Sequence, residues 1–363
     1  MEHAFGHGRP FAIGMEEELL LVDAATHRLA PISSELLPRV VEGDGSVLQD
    51  VYESLVEITS PISAHAHEGG AALVGRRGAL RAAGAILIGC GIHPDGAFGD
   101  ALHVPSERYR AIAGQMRGLL RRTPTCALHV HVAMPDPETA IQAFNRMRAH
   151  LPLLQGLAAH SPFWHGVDSG FQTARAQLFR GYPRADIPRA FGGWNDYAET
   201  MAAFVQAADV ADYTFLWWDI RPHPRLGTLE VRAMDAQARP DSVIGLAGLV
   251  HALVLASAHE PDAPVPAREV LVESSFRAGR DGLDATVFTD GALKPLREVA
   301  EEALALARPY ARDLGAEDSL EGVERILRGG NGADRMRAAH ARGGMVAVLD
   351  GLVEETADVN PGR

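Results

Sequence analysis

Four short stretches of this sequence place ligand-type side chains two or four residues apart, beside residues that favour β-strands. Alternate side chains of a strand point to the same face, so the members of each pair are expected to share one face of a sheet. The pairs are Glu16 with Glu18, Glu53 with Glu57, His129 with His131, and Glu230 with Arg232. The sequence therefore predicts a surface on which carboxylates, imidazoles and a guanidinium meet.

The opposite face of each predicted strand is mostly apolar. Its residues include Leu19, Leu21, Val56, Ile58, Leu128, Val130, Val132, Leu229 and Val231. This alternation is typical of an antiparallel sheet that packs one face on helices and lines a cavity with the other. Because strand patterns dominate the first two-thirds of the chain and helical patterns the last third, we expect an α+β fold.

The elements that must position these residues can be predicted from periodicity and turn signals. Strands are expected over residues 11–23, 54–60, 86–92 and 121–133, and a hairpin over 217–221 and 227–234. Helices are expected over 69–85 and 137–159, the second capped by Asp136, and 161–188 is expected to be a long loop over the site. With no linker or repeat, we expect a single domain over residues 1–363, strand-rich over 1–240 and helical over 241–363.

The predicted donor set is rich in oxygen, which suits Mg²⁺ or Mn²⁺ better than Zn²⁺. Hard-cation sites beside arginines commonly handle phosphates, yet the sequence contains neither a P-loop nor a Gly-x-Gly-x-x-Gly motif, and Lys294 is its single lysine. Phosphate charge would then be met by metal ions and arginines. The candidate arginines are Arg175, Arg221, Arg232, Arg277 and Arg280.

Each motif also has a purely structural explanation. One imidazole of the His129 and His131 pair could be a packed core histidine, and Glu230 and Arg232 could form an internal ion pair. Glu16 and Glu18 could lie on a solvated surface, although the apolar residues around them favour a strand within the core. A carboxylate buried there needs a cation or hydrogen-bond donors.

Composition excludes several classes of function. A formal net charge of −13 disfavours a nucleic-acid binder, which needs a basic face. The two cysteines, Cys90 and Cys126, cannot build a disulfide framework, and the N-terminus lacks a signal-peptide pattern, so a cytoplasmic protein is expected. The apolar run over 243–258 is too short for a membrane span and contains His251, which predicts a buried helix.

Six segments together carry a family resemblance. They are Gly14-Met15-Glu16-Glu17-Glu18, Val56-Glu57-Ile58-Thr59, Leu128-His129-Val130-His131-Val132, Ser161-Pro162-Phe163-Trp164, Trp218-Asp219-Ile220-Arg221-Pro222 and Thr228-Leu229-Glu230-Val231-Arg232. In order and spacing this set resembles the bacterial type 2 glutamate–cysteine ligase family, also called carboxylate–amine ligases. The resemblance runs from about Phe11 to Arg337, nearly the whole chain.

The resemblance implies an ATP-dependent ligase that joins a carboxylate, typically the γ-carboxylate of glutamate, to an amine. Cysteine as the amine would yield a glutathione precursor. It also implies a glutamine-synthetase-like core, in which a curved antiparallel sheet cradles divalent ions between ATP and the amino acid, and a homodimer. Carried over by position, Glu16, Glu18, Glu57, His129 and Glu230 would hold the metals, with Glu53 a weaker candidate. His131 and Arg232 would contact the transferring phosphoryl group.

Two segments depart from the family pattern. In Ser169–Arg175 the arginine is kept, whereas Phe171-Gln172-Thr173-Ala174 differ, and in Ser274–Leu283 the residues Ser274 and Phe276 replace the usual asparagine and tryptophan. We expect these changes to alter the pocket rim, which leaves both substrates open. Arg175 and Arg221 are candidates for binding a substrate carboxylate, with surface or interdomain ion pairs as the alternative.

Two other functions remain compatible with the same residues. A metal-dependent hydrolase would use the histidines and glutamates to activate water, and it would work without ATP. A non-catalytic protein could keep the fold for binding or regulation, although the intact ligand set argues against it.

Overall fold

The structure, a computed structural model, describes residues 1–40, 46–259 and 265–359. Within these ranges seven strands form one antiparallel sheet, in the order β10-β11-β5-β1-β3-β2 with β4 paired to β1. The strands are β1 (Ile13–Val22), β2 (Val47–Gln49), β3 (Leu55–Thr59), β4 (Ile86–Ile88), β5 (Ala127–Ala133), β6 (Phe163–Trp164), β7 (Val167–Asp168), β8 (Ala185–Asp186), β9 (Trp217–Trp218), β10 (Ile220–His223), β11 (Thr228–Asp235), β12 (Thr286–Thr289) and β13 (Ala292–Pro295).

Helices cover the apolar face of this sheet. The α-helices are α1 (Ser33–Leu36), α2 (Ala66–Ala82), α3 (Glu107–Met116), α4 (Pro137–Met147), α5 (Leu151–Leu157), α6 (Ala174–Phe179), α7 (Trp194–Ala208), α8 (Pro240–His259), α9 (Arg268–Asp281), α10 (Leu296–Asp313), α11 (Glu321–Gly329) and α12 (Gly332–Ala357). α2 packs on β1, α8 on β5, and α4 on β10 and β11. The predicted α+β architecture with an antiparallel sheet is confirmed.

Helix α8 lies at the centre of the helical layer. It is long and apolar enough to cross a membrane, but it packs against α2, α4, α10 and α11 inside the protein. Its contact with α11 is close: a β-carbon on Gly245 would lie 2.7 Å from the α-carbon of Gly322. The buried helix predicted for the apolar run is therefore confirmed.

Several predicted boundaries differ from the structure. The strand predicted over 121–133 begins only at Ala127, after a 3₁₀ turn over Arg117–Arg121. The helix predicted over 137–159 divides into α4 and α5 with a 3₁₀ turn between them, where Pro152 cannot donate to the preceding turn. The N-cap role of Asp136 is confirmed, since its side chain accepts a hydrogen bond from the amide of Thr139 at 2.8 Å.

The predicted hairpin is present, with a different turn. Pro222 and His223 belong to β10, and the chain reverses over residues 224–227 before β11. Gly227 has a φ of +68°, and a β-carbon there would lie 2.4 Å from the carbonyl oxygen of Ala4. A glycine is required at this point because the N-terminal segment packs directly on the turn.

Two stretches differ from the predicted structure. The loop predicted over 161–188 includes α6, and the part predicted to be helical, 241–363, contains the hairpin of β12 and β13. Asp290 and Gly291 form the turn of that hairpin, with φ values of +50° and +79°. Asp-Gly between two strands is a strong local hairpin signal, so this hairpin could have been predicted.

One glutamate of β1 lies on the apolar face of the sheet. Glu17 is buried, and its carboxylate accepts hydrogen bonds from Nε and Nη2 of Arg77 on α2, at 3.0 and 2.7 Å. Arg77 also donates to the carbonyl oxygens of Gln237 and Ala238. The ion pair therefore joins β1, α2 and the segment before α8 inside the core.

We expect Arg77→Met to lower the free energy of unfolding by about 3–5 kcal/mol, because it leaves the Glu17 charge buried without a partner. Urea denaturation followed by circular dichroism measures this change. Arg81→Met is the matched control, since Arg81 is exposed on the same helix and should cost less than about 1 kcal/mol. A loss below about 1 kcal/mol for Arg77→Met would contradict this role for the ion pair.

Candidate active site

The register of the sheet brings the predicted site residues into cross-strand pairs on the face opposite the helices. Glu18 lies opposite Glu57, and Glu16 lies opposite His129. The next strand continues the row, because His131 lies opposite Glu230. Residues directly opposite one another in an antiparallel pair share a face. The shared surface predicted from strand alternation is therefore present.

Arg232 joins this surface at an irregularity in β11. Val231 pairs with Val130, whereas Met234 pairs with Leu128, so β11 carries one additional residue between these positions. A bulge of this kind re-aims side chains without ending the strand. Arg232 lies within it and contacts Glu230 through Nη1.

Two clusters of acidic and imidazole ligands result, each with its ligand atoms within 4.8 Å of one another. The first cluster is Glu16, His129 and Glu230, and the second cluster is Glu18, Asp50 and Glu57. His129 links them, since its Nδ1 lies 3.2 Å from Oε2 of Glu16 and its Nε2 lies 3.8 Å from Oε1 of Glu18.

Both clusters open into a cavity of about 330 Å³. Arg175, Arg221 and Arg232 add positive charge to its wall, and Arg108 and Tyr109 of α3 border its mouth. One end is apolar, with Tyr52, Ile112, Met116, Leu120, Phe179, Tyr182 and Trp217 as its lining. The hydroxyls of Tyr52 and Tyr182 donate to backbone carbonyl oxygens, so this end presents mainly carbon to a ligand.

The carboxylates of the second cluster resist ionisation. Burial raises the pKa of Glu18 to about 8, and the charge of Asp50 adds to the rise. Burial together with the charges of Glu16 and Asp50 raises the pKa of Glu57 well above its usual range. Burial also raises the pKa of Asp50. Like charges held this close need positive charge among them before all can ionise.

The carboxylates of the first cluster, in contrast, have pKa values below their usual range. Burial alone would raise the pKa of Glu16, but the charge of His131 and hydrogen bonds from both imidazoles hold it well below its usual range. Burial likewise opposes ionisation of Glu230, but the guanidinium groups of Arg221 and Arg232 keep its pKa well below the ordinary value. Both carboxylates are therefore ionised at neutral pH.

The pKa values of the two histidines shift in opposite directions. Burial lowers the pKa of His129 to about 4, and the charge of Arg232 adds to the effect. Its imidazole is therefore neutral at pH 7, the form that binds metals. Burial also disfavours the charged form of His131, but Glu16 and Glu230 raise its pKa above the ordinary value. His131 is thus suited to contact an anion.

The donor set fits divalent cations of the Mg²⁺ type. Each cluster offers two or three carboxylates, which are the ligands that hard cations prefer. Among the described residues, buried polar atoms without a hydrogen-bond partner include Nε of Arg175 and Nε of Arg232, two residues of the cavity wall. These donors suit a bound anion such as a phosphoryl group.

Most of the site residues predicted from the sequence line this cavity. They are Glu16, Glu18, Glu57, His129, His131, Arg175, Arg221, Glu230 and Arg232. The internal ion pair weighed for Glu230 and Arg232 is also present. Their assignment as metal or phosphoryl ligands stays a prediction.

The placement of Glu53 in the site is wrong. β3 begins at Leu55, so Glu53 does not share a strand face with Glu57. Its carboxylate instead accepts hydrogen bonds from Ser33 and from the amide and hydroxyl of Ser34, at 2.7–3.1 Å. Glu53 therefore holds the start of α1.

Two predicted arginines also lie away from the cavity. Arg277 on α9 pairs with Glu273 and donates to Thr286, and the exposed Arg280 pairs with Asp281. Arg221 does line the cavity, but its guanidinium donates to Glu230 and to the carbonyl oxygens of Thr214 and Leu216. It is therefore committed to protein partners, and the expectation that it binds a substrate carboxylate is not supported.

The segments that depart from the family pattern lie behind the cavity wall. Phe171 packs edge-on against Phe276, with ring centroids 6.1 Å apart. The hydroxyl of Thr173 donates to Asp235, and that of Ser274 accepts from the amide of Phe288. The expectation that these residues form the pocket rim is wrong, since none of them lines the cavity.

Sequence reasoning missed Asp50, which completes the second cluster. In the pairing of β2 with β3, Leu48 lies opposite Glu57, and Asp50 follows directly after the end of β2 at Gln49. The sequence signal for Asp50 was its position directly after a short apolar stretch. Its position depends on the pairing of two strands, which the sequence does not show locally.

The sequence matches glutamate-cysteine ligase family 2 (GCS2) over residues 12–351. The chain belongs to this family. The resemblance carried by the six motifs is thereby confirmed. Two similar proteins of Rubrobacter xylanophilus are named as predicted glutamate–cysteine ligases. Ligase 2-1 is 37% identical over 95% of each chain, and ligase 2-3 is 38% identical over 98% of this chain and all of the relative.

A solved structure supports the fold of this family member. The glutamate–cysteine ligase of Francisella tularensis, in complex with AMP, superposes with a TM-score of 0.71 over 96% of this chain and 90% of that one. The sequence identity is 13%, so the likeness concerns the fold. It confirms the predicted fold class.

We expect the affinity of this family member for divalent cations to rise between pH 6 and pH 8. The pKa of Glu18 is about 8, so Glu18 holds a proton at pH 6 that a cation must expel to bind, and burial raises the pKa of Glu57 well above its usual range in the same direction. Isothermal titration with Mn²⁺ in two buffers of different ionisation enthalpy measures the affinity and the protons released. An affinity independent of pH, with no proton release, would contradict the raised pKa values.

Variants of Asp50 and Glu53 test whether the structure or the expectation from the sequence places the cation ligands correctly. We expect Asp50→Asn to weaken Mn²⁺ binding roughly 10-fold or more, because it removes one carboxylate of the second cluster. Glu53→Gln should leave Mn²⁺ binding within about twofold of wild type, because Glu53 faces Ser33 and Ser34. Titration of both variants at pH 8 checks this, and the reverse order would favour the placement expected from the sequence.

Proposed function

We propose that this protein is an ATP-dependent carboxylate–amine ligase. It would activate the γ-carboxylate of glutamate as an acyl phosphate and transfer the acyl group to an amine such as cysteine, with release of ADP and phosphate. The observation that carries the proposal is the placement of two acidic clusters, His131 and Arg232 around one cavity in a member of the glutamate–cysteine ligase family. The AMP bound to the Francisella ligase supports ATP as the nucleotide.

The acidic clusters explain how polyphosphate could enter a site with so much negative charge. Glu16, His129 and Glu230 would hold one divalent ion, and Glu18, Asp50 and Glu57 another. Bound Mg²⁺ or Mn²⁺ would neutralise phosphate oxygens and polarise the phosphoryl group. The neutral imidazole of His129 lies between Glu16 and Glu18, so it can serve as a ligand and also separate their charges.

His131 and Arg232 are suited to the transferring phosphoryl group. Nε of the cationic Arg232 has no hydrogen-bond partner in the described protein, and Nε2 of His131, whose pKa is raised above the ordinary value, lies 3.3 Å from Oε1 of Glu16. Donors fixed in this way stabilise the charge that develops on phosphoryl oxygens during in-line transfer. Because the sheet holds both residues on neighbouring strands, little reorganisation is required at the moment of reaction.

Arg175 is the best candidate for binding the substrate carboxylate. Its guanidinium stacks over Phe179, 5.4 Å from the ring centroid, and lies 3.7 Å from Asp235. Nε has no hydrogen-bond partner and faces the cavity wall. Asp235 and Phe179 hold the guanidinium in place, which leaves one donor for an anionic ligand.

The proposal extends to the setting of the reaction. The substrates would be small molecules, with no nucleic acid or membrane involved, and the enzyme would work in the cytoplasm as a homodimer. With cysteine as the amine, the product would be a precursor of glutathione. These parts are supported by the family resemblance and by the composition of the chain.

The decisive experiment is ADP release by the purified protein with Mg²⁺ and ATP, across a panel of carboxylates with and without amines. We expect release to require glutamate and an amine, and to fall at least about 100-fold in Glu57→Gln and His129→Ala, which each lose a cation ligand. Glu301→Gln is the matched control, since this exposed glutamate lies on α10.

Three outcomes separate the alternatives. ADP release that needs both substrates and is lost in the two site variants supports the ligase and identifies its amine. Substrate turnover without ATP would indicate a metal-dependent hydrolase. ATP binding without ADP release for any pair of substrates would contradict the glutamate ligase.

A further inference from the structure

Two arginines share the carboxylate of Glu230, and they contact different oxygen atoms. Nε and Nη2 of Arg221 lie 2.9 and 2.7 Å from Oε2, whereas Nη1 of Arg232 contacts Oε1. Of the two Glu230 oxygens, Oε1 is also the one that faces His131, 3.8 Å from its Nε2. Oε2 thus faces Arg221, whereas Oε1 faces Arg232 and His131.

Arg221 is held rigidly on the side away from the cluster. Its Nη1 donates to the carbonyl oxygens of Thr214 and Leu216, at 3.1 and 2.8 Å. Arg221 and Glu230 also lie opposite one another on β10 and β11, and each is at most 5% exposed. The fork on Oε2 therefore fixes the rotation of the Glu230 carboxylate and leaves Oε1 on the side of His131, whose Nε2 also lies 3.3 Å from Oε1 of Glu16.

Arg232 is held more loosely. Its side chain is 15% exposed, and Nε is buried without a hydrogen-bond partner among the described residues. The Nη1 contact with Oε1 places a cationic nitrogen against the same oxygen that a metal ion at the first cluster would need. Two cations cannot occupy one side of a carboxylate oxygen without strong repulsion.

We propose that these two arginines act in opposite directions on cation binding at the first cluster. Arg221 is a positioning residue that presents Oε1 of Glu230 to the cation. Arg232 competes with the cation for Oε1 and must move away when the cation binds. This inference rests on the proposed function, because it takes Glu16, His129 and Glu230 to be a cation site.

The competition links cation binding to the availability of Arg232. While Nη1 remains on Oε1, the charge of Arg232 is neutralised by Glu230. Once released, the guanidinium offers Nε and both Nη groups to an anion in the cavity. The cation would thus bind before Arg232 is free to contact the phosphoryl group, which gives an order to the assembly of the site.

The test is Mn²⁺ binding without ATP or amino acids, measured by electron paramagnetic resonance of the free ion. All variants carry Glu57→Gln, which weakens the second cluster so that the remaining binding reports on the first. Arg232→Gln removes the competitor and should tighten binding at least about tenfold. Arg221→Lys keeps the charge but cannot reproduce the fork on Oε2, and it should weaken binding roughly 10- to 100-fold.

The opposite changes in Mn²⁺ affinity expected for the two variants separate a positioning role of Arg221 from a purely electrostatic one. If both arginines acted only through charge, Arg232→Gln would tighten binding and the charge-conserving Arg221→Lys would leave it unchanged. That result, or a shift of both variants in the same direction, would overturn the inference and leave the proposed cation site intact. Glu230→Gln is the control for the site itself and should abolish the effect of Arg232→Gln.

Misfolding cannot produce the expected pattern, because tighter binding in Arg232→Gln requires a formed site. Circular dichroism and thermal unfolding check that Arg221→Lys folds. Should the protein without any substitution bind no Mn²⁺ up to millimolar concentrations, both this inference and the cation site of the proposed function would be overturned. Failure of this inference alone can therefore be distinguished from failure of the proposed cation site.

Discussion

The constraint on which the site depends is the repulsion among the carboxylates that the sheet gathers on one face. Register alone places Glu18 opposite Glu57 and brings Glu16 within reach of both clusters. Two ionised carboxylates at such distances cost several kcal/mol in a medium less polar than water. The carboxylates nevertheless stay close together, because covalent geometry and backbone hydrogen bonding fix the strands and thereby the positions of the side chains that they carry.

The two clusters meet the constraint in different ways. At the first cluster the protein supplies its own cations, and Arg221, Arg232 and His131 keep Glu16 and Glu230 ionised. At the second cluster the raised pKa values of Glu18 and Glu57 show that protein charges do not suffice. An external cation therefore gains most at the second cluster by displacing protons, and at the first cluster by displacing an arginine. If both clusters bind cations as proposed, the two sites on this sheet would respond to different competitors.

The sequence predicts local features of this site well and distant ones poorly. Strand alternation is a local property, so the shared face of Glu16, Glu18, His129 and His131 was predictable. Glu53 was placed wrongly because β3 begins only at Leu55, and Asp50 was missed because only the pairing of β2 with β3 brings it to Glu57. Arg277 was placed wrongly because charge on an amphipathic helix does not show which way the helix faces.

The three consecutive glutamates of β1 raise a further question of specificity. A strand that slips by one residue exchanges its two faces, and in Glu16-Glu17-Glu18 such a slip would replace a pair of carboxylates in the cavity by a single one. The apolar residues on either side oppose the slip, but the glutamates themselves do not distinguish the two registers. Arg77 does, because its bidentate contact neutralises one carboxylate of β1 on the apolar face, whereas a slipped strand would bury two there. A buried ion pair that contributes little net stability can therefore still decide which glutamates face the cavity, and through them the chemistry of the site.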